Sequence, residues 1–211
     1  MSTQPATIGS YSPNVVVPLL AGAAPVARRF SVDEYHRMIE SGILTSNDRV
    51  QLIDGWIIEM PPIGPEHITS NSLAGSAVQS RLQAGWIVRL QGPITLTNSE
   101  PEPDVVVVRG TLRDYAKRHP GSRDLALVIE VADSTLNFDR VQKAATYAAA
   151  GIPEYWIVNL VDRQLEVHRE PQTTASGPEY RLREIIAASG TVHLTIAGQS
   201  VAQLAVADLL P

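Results

Sequence analysis

Three charged residues interrupt or adjoin apolar runs, and their types are those of phosphoryl chemistry. Asp104 directly follows Pro103 and precedes four consecutive valines. Glu130 interrupts LALVIEV (125–131), a run that otherwise reads as a strand covered on both faces. Lys143 lies in DRVQKAATYAAAG, with Tyr147 one turn beyond it on the same helical face. Each has a plain structural reading. Asp104 can cap a loop, Glu130 can face solvent at a strand's end, and Lys143 can be a solvated lysine. A carboxylate inside a covered strand, however, is desolvated at a cost of several kcal/mol unless a cation or donor meets it. Two carboxylates at the ends of adjacent buried strands offer hard oxygen ligands for Mg²⁺ or Mn²⁺. A lysine over the same end adds positive charge near an attacking water or a phosphate. The three together fit metal-assisted phosphodiester hydrolysis.

Composition narrows the field. The 211 residues carry 17 Lys and Arg against 22 Asp and Glu, a net charge of −5. No overall basic field draws the chain to nucleic acid, so contact with phosphates must be local and metal-assisted. The absence of cysteine excludes disulfides, thiolate metal sites and cysteine nucleophiles, and fits a reducing, cytoplasmic setting. No apolar run approaches the roughly 18 residues of a membrane span, and MSTQPATIGS lacks the flanks of a secretory signal. There is no Walker-type loop, dinucleotide fingerprint or G-x-S-x-G elbow. His36, His119, His168 and His193 are scattered without metal-ligand spacing.

The elements that must position these groups follow from pattern. Residues 1–27, rich in Ala, Pro, Ser, Thr and Val, read as an irregular N-terminal tail, and 28–211 as one domain. Ser31 and Glu34 form a capping box opening a helix over 32–41 that stops at Gly42. Asp54-Gly55 between alternating hydrophobics predicts a hairpin of strands 49–53 and 56–60. A helix is expected over 65–84, then strands at 86–90, 94–97 and 104–108, and a short polar helix at 111–118. Strand 125–131 precedes a helix over 138–150 that ends at Gly151. A meander of strands (155–160, 164–169, 180–185, 191–196) and a short closing helix complete the chain. This order makes an α/β domain, a mixed β-sheet flanked by helices and extended by antiparallel strands.

QLIDGWIIEMPP, PEH, EPDVVVV, LVIEVADST and KAATYAAAGIPEYWIVN, in that order, resemble the motifs of the Uma-two family of restriction endonucleases, within the PD-(D/E)XK nuclease superfamily. The resemblance covers about residues 29–170. It implies a restriction-endonuclease-like core, with Asp104 as the PD aspartate and Glu130 as the second acidic metal ligand. The position two beyond Glu130, where the superfamily pattern has lysine, is Ala132, and Lys143 matches a lysine supplied instead by the following helix. Gln51 stands where the family usually has an acid, and its amide oxygen is a weaker ligand. Glu59 and Glu102 are nearby acids. His67, Ser134 and Tyr147 are implied neighbours of the substrate; alternatively His67 bonds loop backbone, Ser134 belongs to a helix cap and Tyr147 is a core residue.

The expected activity is therefore a metal-dependent endonuclease acting on DNA, with Mg²⁺ or Mn²⁺ as cofactor, as a homodimer away from membranes. Arg28, Arg29, Arg113, Lys117, Arg118 and Arg123 are candidates for DNA contact. The competing expectation is a catalytically degenerate nuclease-fold protein serving as a binding or assembly module.

Overall fold

A computed structural model of the chain describes residues 27–211, so the tail expected over 1–27 lies, but for its last residue, outside the described residues. Helix α1 spans Val32–Glu40, and its capping box is formed: Ser31 accepts from the Glu34 N–H and Glu34 from the Ser31 N–H. Strands β1 (Val50–Ile53) and β2 (Trp56–Glu59) pair as a hairpin. Its turn residues, Asp54 and Gly55, both have positive φ, 48° and 80°, the primed turn that the right-handed twist of paired strands selects. Helix α2 follows over Pro65–Gln79.

Six strands form the main sheet in the order β3-β4-β5-β6-β7-β8. They are β3 (Trp86–Leu90), β4 (Val105–Arg109), β5 (Leu125–Ala132), β6 (Glu154–Asn159), β7 (Gln164–Thr174) and β8 (Gly177–Ala187). Only β5 and β6 pair in parallel. Their crossover is helical: α3 (Leu136–Phe138) widens into a π-turn over Asp139–Lys143 and resumes as α4 (Ala144–Ala149).

The sheet is covered on both faces, as continuous apolar strands require. On one face α2, a two-stranded ribbon of β9 (Thr191–Ile196) and β10 (Gln199–Ala205), and the chain end enclose Val105, Leu127, Ile129, Trp156 and Val158. On the other, Ile94, Tyr115 and α4 enclose Val106, Val128, Tyr155 and Ile157. A register shift between Val107 and Val108 puts Leu125 with Val128 and Ala126 with Leu127, so strict alternation along 125–131 holds only from Leu127 onward.

Other expectations need correcting. ITLT (94–97) is loop, with Ile94 and Leu96 buried: Pro93 and Pro101 offer no N–H to a ladder, and its backbone bonds go to Pro101, Pro120 and Ser99. The polar helix at 111–118 is a single 3₁₀ turn, Leu112–Tyr115, and α2 stops at Gln79 rather than 84. The strand at 191–196 leaves the main sheet. The closing segment is β10 and a 3₁₀ turn, Val206–Leu209, because Ala197 and Gly198, φ 51° and 79°, make a second tight hairpin without the Asn or Asp that would announce it.

Candidate active site

The register of β4 and β5 positions both acids. Val105 pairs with Ile129, so Asp104, just before β4, stands opposite Glu130. Glu130 points to the face covered by α4. There Lys143 Nζ lies 2.8 Å from its Oε1, and the Tyr147 hydroxyl donates to the same oxygen at 2.5 Å. Ala144 and Ala148, both buried, let the helix approach the sheet closely enough for these contacts. On Asp104, Oδ2 accepts the Val131 N–H at 2.8 Å, while Oδ1 faces His67 Nε2 at 2.9 Å and the Asn71 amide at 3.4 Å. His67 and Asn71 sit one turn apart at the start of α2. Backbone pairing of Leu52 with Glu100 docks β1 beside the segment leading to Asp104, and there Gln51 Oε1 accepts the Glu102 N–H at 3.3 Å.

Gln51, His67, Asp104, Glu130 and Lys143 line an open cleft of about 860 Å³, between the sheet end on one side and α1, the β1–β2 hairpin and the loop over 61–63 on the other. Its electrostatics are short of positive charge. Burial raises Glu130 to about 7, against the opposing pull of Lys143 and with the help of Asp139 and Asp104. Asp139 is raised by burial, and Glu102 by burial and the charge of Glu100. Burial pulls Lys143 down, but the surrounding carboxylates outweigh it and its ammonium is stabilised. Burial likewise depresses His67, while its bond to Asp104 more than compensates and raises it.

The structure brings Asp104, Glu130, Lys143, Gln51 and His67 to this one cleft. It does not bring Ser134, which is exposed on the turn after β5 and lines no part of the cleft. Tyr147 is wholly buried behind Glu130, with its ring edge on Tyr155 at 5.0 Å, so it reaches the cleft only through that carboxylate. Two residues escaped sequence reasoning. Asp139 is a buried carboxylate in the cleft wall, 3.7 Å from Lys143, and the i,i+4 spacing in DRVQK is the signal for it. Asn71, four residues after His67, had none, since a single amide on a helix is unremarked.

The chain matches the profile of a family, Uma2, described as "Putative restriction endonuclease", over residues 32–207. No curated protein matches. Its fold is similar to the crystal structure of a "putative nuclease belonging to DUF820" from Anabaena variabilis. That match has 16% identity and a TM-score of 0.62, and covers 85% of this chain and 97% of that one. Weaker similarity extends to NucC from P. aeruginosa in its cAAA-bound form, at 15% identity and TM-score 0.31, over 54% of this chain and 45% of that one. At 16% identity the likeness to the Anabaena structure is one of fold. The profile match, spanning most of the chain and all the cleft residues named above, makes the protein a member of the Uma2 family.

Proposed function

We propose that the protein is a metal-dependent endonuclease of the PD-(D/E)XK type that hydrolyses phosphodiester bonds in DNA. The observation carrying this reading is that Asp104 and Glu130 oppose each other across paired strands in an open cleft, with the Lys143 ammonium 2.8 Å from Glu130. Among the described residues, no three Asp, Glu or His side chains converge as an all-protein metal cage. The donor set instead suits Mg²⁺ or Mn²⁺, since Mg²⁺ keeps several waters and takes only one or two carboxylates. Burial above all raises Glu130, Asp139 and Glu102, and a cation bound beside them would favour their ionised forms.

Asp104 and Glu130 would hold the ion, with the Gln51 amide oxygen as a weaker neutral donor. Bound there, it polarises a phosphoryl oxygen and lowers the pKa of its water. Lys143 presents an ammonium to the attacking hydroxide or the phosphate. Tyr147 fixes the Glu130 carboxylate, and His67 and Asn71 fix Asp104. The N-terminus of α2, where His67 sits, favours the negative charge of a phosphate. A symmetric dimer belongs to the reading, because cutting a duplex takes two sites or two successive visits.

Gln51, an amide where an acid is expected, favours a second reading: a degenerate nuclease fold acting as a binding or assembly module. Calorimetry with Mn²⁺ and a DNA cleavage assay separate the two. The enzyme reading expects Mn²⁺ binding that Asp104→Asn and Glu130→Gln remove together with cleavage, while thermal unfolding stays cooperative. A protein that binds no Mn²⁺ and cuts nothing is the module. Cleavage that survives in both variants, free of contaminating nuclease, would end the mechanism.

A further inference from the structure

Asp139 is a buried carboxylate that the reaction proposed above leaves without a task. Its side chain is 2% exposed and lines the cleft. The Thr135 hydroxyl donates to Oδ2 at 2.6 Å and aims the group. The other oxygen, Oδ1, faces Lys143 Nζ at 3.7 Å. The backbone beneath is equally fixed. The Asp139 carbonyl accepts the Tyr155 hydroxyl at 3.1 Å as well as the Ala144 N–H that closes the π-turn. The next residue, Arg140, is held by Glu166 through its Nε at 3.0 Å from both carboxylate oxygens. Single π-turns inside helices recur at functional sites. This one sets a carboxylate and an ammonium on the same cleft wall. At 3.7 Å the pair is within ion-pair range but beyond a hydrogen bond, and about 1 Å of movement by Nζ closes the gap.

A cation on Glu130 weakens that carboxylate's hold on Lys143. Glu130 Oε1 already takes both Lys143 and the Tyr147 hydroxyl. A cation on the same carboxylate repels the ammonium, and a buried ammonium left without an anion is costly. We propose that Asp139 is a positioning residue for Lys143. It is the second seat to which the ammonium swings when Glu130 is engaged by a cation, so that Lys143 stays charged and directed at the cleft. The inference rests on the metal-dependent reading above.

A double-mutant cycle on Mn²⁺ affinity tests it, measured by calorimetry on the full chain. Asp139→Asn preserves shape and the bond from Thr135, and in the wild-type background it weakens Mn²⁺ binding about tenfold. In a Lys143→Met background the same change alters the affinity by less than about twofold, because there is no ammonium to seat. Equal losses in both backgrounds assign Asp139 to the ion itself and overturn the proposal, as does an unchanged affinity in the wild-type background. Should Asp139→Asn fail to unfold cooperatively, Thr135→Val, which removes the aiming hydroxyl and no charge, replaces it in the cycle under the same criteria. A wild-type chain that binds no Mn²⁺ overturns this inference and the reading beneath it together. Mn²⁺ binding that Glu130→Gln abolishes but Asp139→Asn leaves intact overturns this inference alone.

Discussion

Glu166→Gln tests the buried layer that holds the π-turn in place. The Glu166 side chain is 0% exposed, and it accepts from Arg140 Nε, from Arg183 at 2.6 Å and from Asn159 at 2.9 Å. Burial pushes its carboxyl up, but the hydrogen bonds from Arg140, Asn159 and Arg183 outweigh it and bring it down from 4.5 to about 2. At about 1.4 kcal/mol for each factor of ten, that depression corresponds to about 3 kcal/mol. Arg140 and Arg183 are 29% and 45% exposed, and solvent screening reduces the figure to about 2 kcal/mol. The sign follows from the direction. A carboxyl held low in the folded state stabilises the protein fully above pH 4.5, and that stability is lost as the pH falls through the interval from 4.5 to about 2. Urea denaturation at pH 7 should therefore show Glu166→Gln less stable by about 2 kcal/mol, a drop in Tm of about 4–8 °C for a chain of this size. The difference between wild type and variant should narrow steadily below pH 4.5. A difference at pH 7 under about 0.5 kcal/mol, or one of constant size down to pH 3, would refute the account of Glu166 as a clamped, ionised bolt on Arg140.

Two further outcomes follow from the cleft. The proposed reading makes the ionised form of Glu130 the ligand, and burial raises its carboxyl to about 7, so Mn²⁺ affinity should fall by about tenfold per pH unit below pH 7 and flatten above it; an affinity constant from pH 5.5 to 8 contradicts Glu130 as a ligand. Gln51→Glu should raise Mn²⁺ affinity about fivefold while lowering the Tm of the metal-free protein, since it adds a carboxylate beside Glu102; calorimetry and thermal unfolding read the two effects, and a loss of affinity counts against Gln51 lying near the ion.

What was legible in the sequence was whatever local chemistry encodes. The capping box at Ser31, the Asp54-Gly55 turn and the doubly covered strands at 105–109 and 125–132 each announce themselves within a few residues. Asp104 and Glu130 were legible because a carboxylate beside or within such strands breaks the pattern, and antiparallel pairing then fixes them face to face. What failed depended on distant partners. ITLT has the composition of a strand, but its backbone donors go to the loop carbonyls of Pro101, Pro120 and Ser99, and the segment 199–205 is a strand because β9 lies beside it, not because of its own periodicity. Asp139 shows the same limit from the other side. Its i,i+4 spacing to Lys143 hints at a pair, but only the fold, with Tyr155 on its backbone carbonyl and Thr135 on its carboxylate, makes it a buried acid.

The distribution of charge in the cleft is hard to explain by stability alone. A buried ion pair such as Glu130–Lys143 does at best about as well as apolar residues of the same volume, and often worse. Here the pair is joined by Asp139, 3.7 Å from the same ammonium, and by Asp104 across the ladder, with Glu102 half-buried nearby. Burial first, and then the charges of Asp139 and Asp104, raise Glu130 to about 7 against the pull of Lys143. A core selected only for folding would shed such groups, whereas a site that receives a cation needs the imbalance until the cation arrives. Gln51 fits the same balance. A further acid at position 51 would add to the negative charge of the cleft beside Glu102, and the amide avoids this while keeping an oxygen that accepts the Glu102 N–H. On the metal-dependent reading proposed above, Gln51 thus lowers cation affinity but spares the cleft a further repulsion, and Asp104 and Glu130 set the affinity between them.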